Sequence, residues 1–223
     1  MLRNDYEPEH FNSMRAELQP GDLTFDIGSY DATTSVLIGS RVGANNVVII
    51  EPSEVNWANI QMNWRDSGMP TNPRACFTGF CDQEDKLGSR EAVLVGKWPL
   101  ECDHNPRPEQ ILEFRWLHYR NIDVNVEARP RLKIDTLAEI IGPPQGFTMD
   151  VEGAEFRALR GAEETLKIYR PLVWVSIHPQ FMRERFNEDA QELHDFMARL
   201  LYAGKLLKAD HEEHWFFKPS ERV

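Results

Sequence analysis

The sequence predicts an α/β fold: a mostly parallel sheet with helices on both faces and an antiparallel hairpin at its end. Apolar runs of strand length alternate with stretches of helical periodicity along most of the chain. The strand candidates are almost continuously apolar, which is typical of parallel strands buried on both faces. The last two strand-like runs, "KLLKAD" and "HWFFKP", are separated by only a short acidic turn. Because this connection is too short for a helical crossover, we predict that these runs pair as a hairpin.

The first part of the chain supplies three predicted strands. A short N-terminal helix over "PEHFNSMRAEL" precedes the strand "LTFDI" and the helix "TTSVLIGSRV". The second strand, "NVVIIE", leads into the helix "SEVNWANIQMNWRD", in which Trp57, Ile60 and Trp64 share one face. Ser53 is the predicted N-cap of that helix, and "RACFTG" is the third strand.

The later units follow the same alternation. "GFTMDV" is the fourth strand, and a helix carrying Phe156, Leu159 and Leu166 follows it. "LVWVSIH" is the fifth strand. The helix "AQELHDFMARLLYAG" has an apolar stripe that includes Leu193, and Gly204 is predicted to end it.

Residues 83–132 break the alternation between the third and fourth units, and they contain four prolines. We interpret them as an insertion that could form a lid over the ligand edge of the sheet. Its aromatic and basic side chains would either contact a sugar or an anionic acceptor, or pack the insertion onto the sheet. These side chains are Trp98, Arg115, Trp116, Tyr119 and Arg120. The chain is predicted to be one domain, 1–223, with a helical extension over 1–20.

Composition limits the class of protein and its partners. The formal net charge of −11 argues against a nucleic-acid backbone as the main partner. The apolar runs are of strand length, so no membrane segment is predicted, and "MLRNDYEPEHF" lacks the apolar run of a signal peptide. The odd number of cysteines, without a C-x-x-C pair, indicates reduced thiols, so we expect a cytoplasmic protein. A zinc site is an alternative, although the spacing matches no closed pattern; its ligands would be Cys76, Cys81, Cys102 and His104.

The candidate site residues follow from where ligands bind in such sheets. In an open α/β sheet, ligands bind beyond the carboxyl ends of the strands. The first three strands bring to that edge the cofactor candidates Asp26, Gly28, Ser29, Tyr30, Glu51, Pro52, Ser53, Gly79, Phe80 and Asp82. The fourth and fifth strands bring the catalytic candidates Asp150, Glu152 and His178.

The turn after the first strand indicates the kind of ligand. Glu51 ends the second strand and is well placed to accept hydrogen bonds from ribose hydroxyls, although it could instead cap the next helix. A pyrophosphate requires several glycines at a helix N-terminus, whereas "DIGSYDATTS" has one glycine and two acids. That turn suits a cationic ligand such as S-adenosylmethionine. The alternative for Asp26 is a turn-forming side chain that bonds to its own backbone.

Several segments together resemble one family. "FDIGSYDATTS", "VVIIEPS", "FTMDVEGAEFRALRGA" and "RPLVWVSIHP" are similar, in order and spacing, to the FkbM-type methyltransferases. The resemblance covers about residues 20 to 218, and "DVEGAEFRALRGA" is its most specific part. It implies a seven-stranded class I methyltransferase sheet, S-adenosylmethionine as cofactor, and O-methylation of a hydroxyl, often on a sugar or polyketide.

The chain departs from the family pattern at five positions. The family has Asn and Gly in place of Tyr30 and Ala32, and Lys and Glu in place of Thr148 and Ser176; an Asp is usual in place of Ala138. The cofactor positions Asp26, Gly28 and Glu51 are kept.

A hydroxyl acceptor needs a group that takes its proton, and Asp150, Glu152 and His178 are the candidates. Each has a plainer alternative. Glu152 could open the next helix, where an acid is favourable, and His178 could be bonded to backbone. Asp150 and Glu152 could instead hold Mg²⁺, although no metal site is predicted. "DHEEH", residues 210 to 214, is predicted to be a solvated hairpin tip.

Three functions are compatible with these residues. The first is an S-adenosylmethionine-dependent O-methyltransferase with a glycan or small-molecule acceptor. The second is a nicotinamide-dependent oxidoreductase, which shares the sheet and the ribose acid but requires the absent Gly-x-Gly-x-x-Gly turn. The third is a nucleoside-binding module of the same fold without activity, which the departures at Thr148 and Ser176 leave open.

Overall fold

The computed structural model describes residues 8–99 and 128–220. Its strands, in chain order, are β1 (Thr24–Ile27), β2 (Val47–Ile50), β3 (Ala75–Phe77), β4 (Phe80–Cys81), β5 (Val93–Val95), β6 (Arg131–Leu132), β7 (Gly146–Asp150), β8 (Leu172–Ile177), β9 (Tyr202–Ala209) and β10 (Glu213–Pro219). Its helices are α1 (Pro8–Glu17), α2 (Thr33–Val42), α3 (Asn56–Asp66), α4 (Ile134–Ile141), α5 (Glu155–Arg160), α6 (Glu163–Ile168) and α7 (Ala190–Arg199). Shorter helical turns cover Ala44–Asn46, Ser89–Ala92 and Pro179–Phe181, and a π-helical turn covers Met182–Phe186.

The main sheet has eight strands in the order β5, β3, β2, β1, β7, β8, β10, β9. Strands β3, β2, β1, β7 and β8 are parallel to one another, and β10 runs antiparallel to both β8 and β9. The predicted parallel sheet with a C-terminal antiparallel hairpin is therefore confirmed. The count is eight rather than seven because β5, from the predicted insertion, pairs antiparallel with β3. Strands β4 and β6 form a separate two-stranded sheet.

Each face of the main sheet buries its own apolar cluster. Ile49, Trp64 and Trp174 belong to the cluster under α1, α2 and α3. Phe25 and Phe147 belong to the cluster on the opposite face, which α4, α5, α6 and α7 cover. Because side chains alternate along a strand, the neighbours of Phe25, Ile49, Phe147 and Trp174 on their strands face the other way.

Two predicted helix boundaries, at Ser53 and at Gly204, are wrong. Ser53 is not an N-cap, because the helix begins at Asn56 after Val55 and has no side-chain cap. The helix predicted to reach Gly204 ends at Arg199, and Leu201 then adopts a left-handed φ of 61° before β9 begins. Gly204 instead lies within β9, where a β-carbon would be 2.8 Å from the ring of Phe217.

The helix predicted over Phe156 to Leu166 divides into α5 and α6. Gly161 lies at the junction, where a β-carbon would be 2.1 Å from the carbonyl oxygen of Asp82. This close backbone contact requires glycine and interrupts the helix. Helix α4 was not predicted, because its apolar pattern directly follows the irregular insertion.

Most of the predicted insertion, including Arg115, Trp116, Tyr119 and Arg120, lies outside the described residues, as do Cys102 and His104. Trp98, which is described, packs against α3: its ring centroid is 6.2 Å from that of Trp64, and its Nε1 donates to Asn72 Oδ1 at 2.9 Å.

Among the described residues, every helix is too short or too polar to cross a bilayer.

Candidate active site

The candidate site lies at the carboxyl edge of the sheet, where β1 is central. β1 pairs with β2 on one side and with β7 on the other, so the chain order of the strands reverses at β1. Such a reversal opens a crevice beyond the strand ends, which is where open α/β sheets bind ligands. The turn after β1 and the segments after β2, β7 and β8 meet there.

Asp26 fixes the turn after β1 through hydrogen bonds with Ser29 and Ser35. Its carboxylate is buried and accepts a hydrogen bond from Ser35 Oγ of α2, and the Ser29 hydroxyl donates to the Asp26 carbonyl at 2.8 Å. Burial raises the pKa of Asp26 to about 6 against these hydrogen bonds. The Asp26 side chain therefore joins α2 to the turn.

Gly28 brings the turn into contact with β7. Its φ is +84°, and a β-carbon would be 1.8 Å from the carbonyl oxygen of Asp150. Only glycine fits that distance. The cofactor turn and the fourth-strand acid are consequently in direct backbone contact.

Three residues that lack the conformational freedom of glycine also adopt left-handed conformations at the same edge of the sheet. Tyr30 has φ 51°, Ala32 has φ 65° and Glu152 has φ 54°. Each such residue costs about 1–2 kcal/mol relative to an ordinary conformation. Asn and Gly, the usual family residues at the first two positions, adopt this region easily, so the chain keeps the turn after losing the residues that favour it.

Glu51 is buried at the end of β2 and is oriented by backbone donors. The N–H of Tyr30 donates to its Oε2 at 2.9 Å, and the N–H of Ser53 donates to its Oε1 at 2.7 Å. Burial raises the pKa of Glu51 to about 7 despite these bonds. Pro52 and Ser53 are half-buried beside it. The Asn56 side chain also donates to this carboxylate, which leaves one lone pair for a hydroxyl donor.

The residues after β3 are held by contacts with β6 and α5. Gly79 packs against Pro130, Phe80 belongs to β4, and Asp82 is buried. The Asp82 carboxylate is 3.0 Å from the Arg157 guanidinium and 3.6 Å from that of Arg131. These ion pairs tie β4 to α5 and β6, so Asp82 is engaged by protein groups.

Asp150, Glu152 and His178 do come together, as predicted. Each offers one ligand or proton-transfer atom, and these atoms all lie within 4.8 Å of one another. Glu152 is exposed, the Asp150 side chain is 42% exposed, and His178 is buried with its Nε2 3.8 Å from Asp150 Oδ1. The cluster therefore presents carboxylates to the crevice and keeps the imidazole behind them.

Two further carboxylates, from Glu155 and Glu212, hold the His178 ring and were not predicted. Glu155 Oε1 is 2.8 Å from Nδ1, and Glu212 Oε2 is 3.0 Å from Nε2. Burial alone would lower the pKa of His178, but these carboxylates raise it to about 10. The prediction of a solvated tip at residues 210 to 214 is wrong for Glu212 and His214, which are buried. Glu155 lies in the most specific family segment, which was the one sequence signal for it.

Pairing of β10 with β8 buries that tip. His214 lies opposite Ser176, and its Nδ1 is 3.0 Å from Ser176 Oγ.

A surface groove of about 660 Å³ lies elsewhere, between α5 and α7, and no predicted site residue lines it.

Comparison with known families identifies the family of the chain. A family model described as the methyltransferase FkbM domain matches residues 26–204. The chain belongs to the FkbM methyltransferase family. The resemblance predicted from the motifs is thus confirmed, and the cofactor of this FkbM-family protein is S-adenosylmethionine. No curated protein matches the chain.

Solved structures share the fold of this FkbM-family protein at low sequence identity. The FkbM methyltransferase of Methylobacillus flagellatus KT matches at TM-score 0.55 and 14% identity, over 90% of this chain and 44% of that one. This chain therefore spans less than half of that protein. The precorrin-6y C5,15-methyltransferase of Geobacter metallireducens GS-15 matches at TM-score 0.55 and 10% identity, over 98% and 91% of the two chains. The magnesium protoporphyrin IX methyltransferase of Synechocystis PCC 6803, with bound cofactor, matches at TM-score 0.51 and 9% identity, over 99% and 84%. These matches show a class I methyltransferase fold.

Proposed function

We propose that the chain is an S-adenosylmethionine-dependent O-methyltransferase whose acceptor is a hydroxyl of a sugar, glycan or small-molecule metabolite. The observation that carries the proposal is the position of Asp150. Its partly exposed carboxylate follows β7, and its carbonyl touches the cofactor turn at Gly28. In this proposal Asp150 is the proton acceptor that transfer to a hydroxyl requires, and it would lie beside the methyl donor.

The cofactor is held, in this proposal, mainly by the turn after β1 and by Glu51. Glu51 accepts from a ribose hydroxyl, because it is oriented by two backbone donors and ends the strand next to β1. Residues Gly28, Ser29 and Tyr30 form the backbone wall of the cleft, with Pro52 and Ser53 beside Glu51. Asp26 acts through Ser35 as a positioning residue.

The residues after β3 have a supporting part in the proposal. Gly79 and Phe80 form the outer side of the cofactor cleft, and the ion pairs of Asp82 with Arg157 and Arg131 fix the position of that segment. Asp82 therefore acts on the cofactor through its neighbours.

S-adenosylmethionine supplies an electrophilic methyl group, and its transfer is an in-line displacement that depends on alignment. The acceptor hydroxyl would lie against the crevice side of Asp150, which takes its proton. Glu152 is the second exposed carboxylate within reach. His178 has both ring nitrogens engaged by carboxylates, so it orients the cluster and leaves proton removal to Asp150.

The net charge of −11 supports a glycan or metabolite as the acceptor in place of a nucleic acid. The solved structures that share the fold include one described as a putative rRNA methylase, from Clostridium thermocellum, so RNA belongs in the test. Family membership favours methyl transfer over the nicotinamide-dependent alternative. A cytoplasmic location remains part of the proposal.

Labelled S-adenosylmethionine should be incubated with the full chain and panels of glycans, hydroxylated metabolites, amines and RNA. We expect label in a hydroxylated acceptor. Asp150→Asn should lower turnover by ~10²–10⁴-fold and keep the affinity for S-adenosylhomocysteine, because it removes the base only. Asp66→Asn, an exposed acid on α3, is the control. Label only in RNA or amines, no label in any acceptor, or full activity of Asp150→Asn would contradict the proposal.

A further inference from the structure

The His178 ring is fixed from its Nδ1 side in the way that metal-binding histidines usually are. Nδ1 is 2.8 Å from Glu155 Oε1, and the same oxygen accepts the Gly153 N–H at 2.9 Å. A carboxylate that holds one ring nitrogen sets the tautomer and orientation of the ring and leaves the other nitrogen for a ligand. Glu155 is fully buried, so this support is rigid.

The opposite nitrogen faces carboxylates from two other parts of the chain. Nε2 is 3.0 Å from Glu212 Oε2, in the turn between β9 and β10, and 3.8 Å from Asp150 Oδ1, at the end of β7. Glu152 completes a group with Asp150 and His178 whose ligand atoms are within 4.8 Å of one another. Asp150, Glu152 and His178 thus bring their ligand atoms together at the crevice, and Glu212 adjoins this group through its contact with Nε2.

The buried oxygens of this cluster have unmet bonding capacity. Glu212 is 4% exposed, and its Oε2 accepts no aligned hydrogen bond from the described residues, although it lies beside Nε2. Glu155 Oε2 is likewise buried without a hydrogen bond among those residues. Buried carboxylate oxygens normally have donors or bind a cation, and an uncompensated one is costly. Four carboxylates around one imidazole also give the cluster a negative charge even when the ring is protonated.

We propose that one divalent cation replaces the proton of His178 Nε2 and is bound by Nε2, Asp150 and Glu212, with Glu155 orienting the imidazole and Glu152 at the open side. The mixture of one nitrogen and carboxylate oxygens suits an ion of the Mn²⁺ type, which accepts both. The site remains open toward the crevice. The role of the ion rests on the proposed function: it would bind the acceptor hydroxyl and promote loss of its proton.

A second group, Asp210, Glu212 and His214, could compete for the same ion. There, however, Asp210 is held by Lys208 at 2.6 Å, and His214 Nδ1 is bonded to a hydroxyl, Ser176 Oγ, in place of an orienting carboxylate. We therefore assign the ion to the His178 side of Glu212.

Mn²⁺ binding to the chelator-treated full chain can be measured directly by electron paramagnetic resonance titration. We expect one saturable Mn²⁺ per chain. Asp150→Asn and Glu212→Gln should each weaken binding at least tenfold, and Glu155→Gln by ~10–100-fold through the orientation of the ring. Glu213→Gln, next to Glu212, and Asp210→Asn should leave the affinity unchanged. Thermal melts establish that each variant is folded. If Glu212→Gln does not fold, Asp150→Asn alone tests the ligand set.

Absence of saturable Mn²⁺ binding would overturn the inference. Loss of affinity in Asp210→Asn without loss in Asp150→Asn would overturn it as well, because the ion would then lie in the hairpin. Calorimetry with S-adenosylhomocysteine on the same samples separates this failure from failure of the proposed function. Cofactor binding without Mn²⁺ binding rejects only the metal site, whereas Mn²⁺ binding without cofactor binding rejects only the methyltransferase.

Discussion

Asp26→Asn should change the pH dependence of stability in a defined direction. The Asp26 carboxyl is 3% exposed and is held under the cofactor turn by Ser35. Burial raises its pKa from 3.8 to about 6. The folded state therefore binds this proton more tightly than the unfolded state, so stability falls as pH rises from about 4 to 6 and is constant above that. Asparagine keeps an oxygen acceptor for the Ser35 hydroxyl but does not ionise.

The magnitude follows from the two pKa values. A difference of about two pKa units, at 1.36 kcal/mol each, makes ionised Asp26 about 3 kcal/mol unfavourable to folding. About 2 kcal/mol of this change falls between pH 4 and pH 8, because the unfolded carboxyl is already partly ionised at pH 4. The wild-type free energy of unfolding should therefore fall by about 2 kcal/mol relative to that of Asp26→Asn over this interval.

Urea denaturation of both proteins at intervals from pH 4 to pH 8 measures this difference. The pKa of Glu51 is also raised, to about 7, but Glu51 is present in both proteins and its direct contribution cancels. Asp66→Asn, an exposed acid on α3, should show no such trend. A difference between wild type and Asp26→Asn that is flat with pH, or that grows in favour of the wild type, would refute a raised pKa for the buried Asp26.

Two other substitutions test the cofactor cleft. Gly28→Ala adds a left-handed penalty of about 1–2 kcal/mol and a clash with the Asp150 carbonyl, so both stability and cofactor binding should fall. Gly68 also has a positive φ, +74°, but has open space around it, so Gly68→Ala should show the left-handed penalty alone. Equal melting temperatures for Gly28→Ala and Gly68→Ala would exclude the clash. Glu51→Ala should weaken S-adenosylhomocysteine binding by ~1–3 kcal/mol in calorimetry, whereas Glu54→Ala should not. Unchanged affinity in Glu51→Ala would remove Glu51 from the ribose site.

The elements that could be predicted are those determined locally. Alternation of apolar strands with amphipathic helices, and the short connection before "HWFFKP", were sufficient for the sheet and the hairpin. Because parallel strands all end at the same edge, the meeting of Asp150 with His178 also followed from the sequence.

The parts that could not be predicted depend on contacts distant in sequence. Gly161 divides a helix only because the Asp82 carbonyl approaches it, and Asp82 turned out to be paired with Arg157. The burial of Glu212 likewise requires β10 to lie beside β8, which brings residues more than thirty positions apart into contact. No local pattern in an acidic turn contains that information.

The departures from the family pattern at Thr148 and Ser176 have a common structural explanation. In place of the Lys and Glu that relatives use there, this chain has two hydroxyls, and each meets a buried histidine. Thr148 Oγ1 is 3.3 Å from His10 Nε2, of α1, and Ser176 Oγ is 3.0 Å from His214 Nδ1, of β10.

The two imidazole rings are in contact, with centroids 5.5 Å apart, and burial together with the nearby His214 lowers the pKa of His10 to about 3. Asp26 on β1 is the in-register neighbour of Thr148 on β7. A neutral His10 can therefore pack against Thr148 without adding a charge beside Asp26. The changes at Thr148 and Ser176 thus go together with α1 and the C-terminal hairpin, because these elements supply the groups that the smaller side chains need.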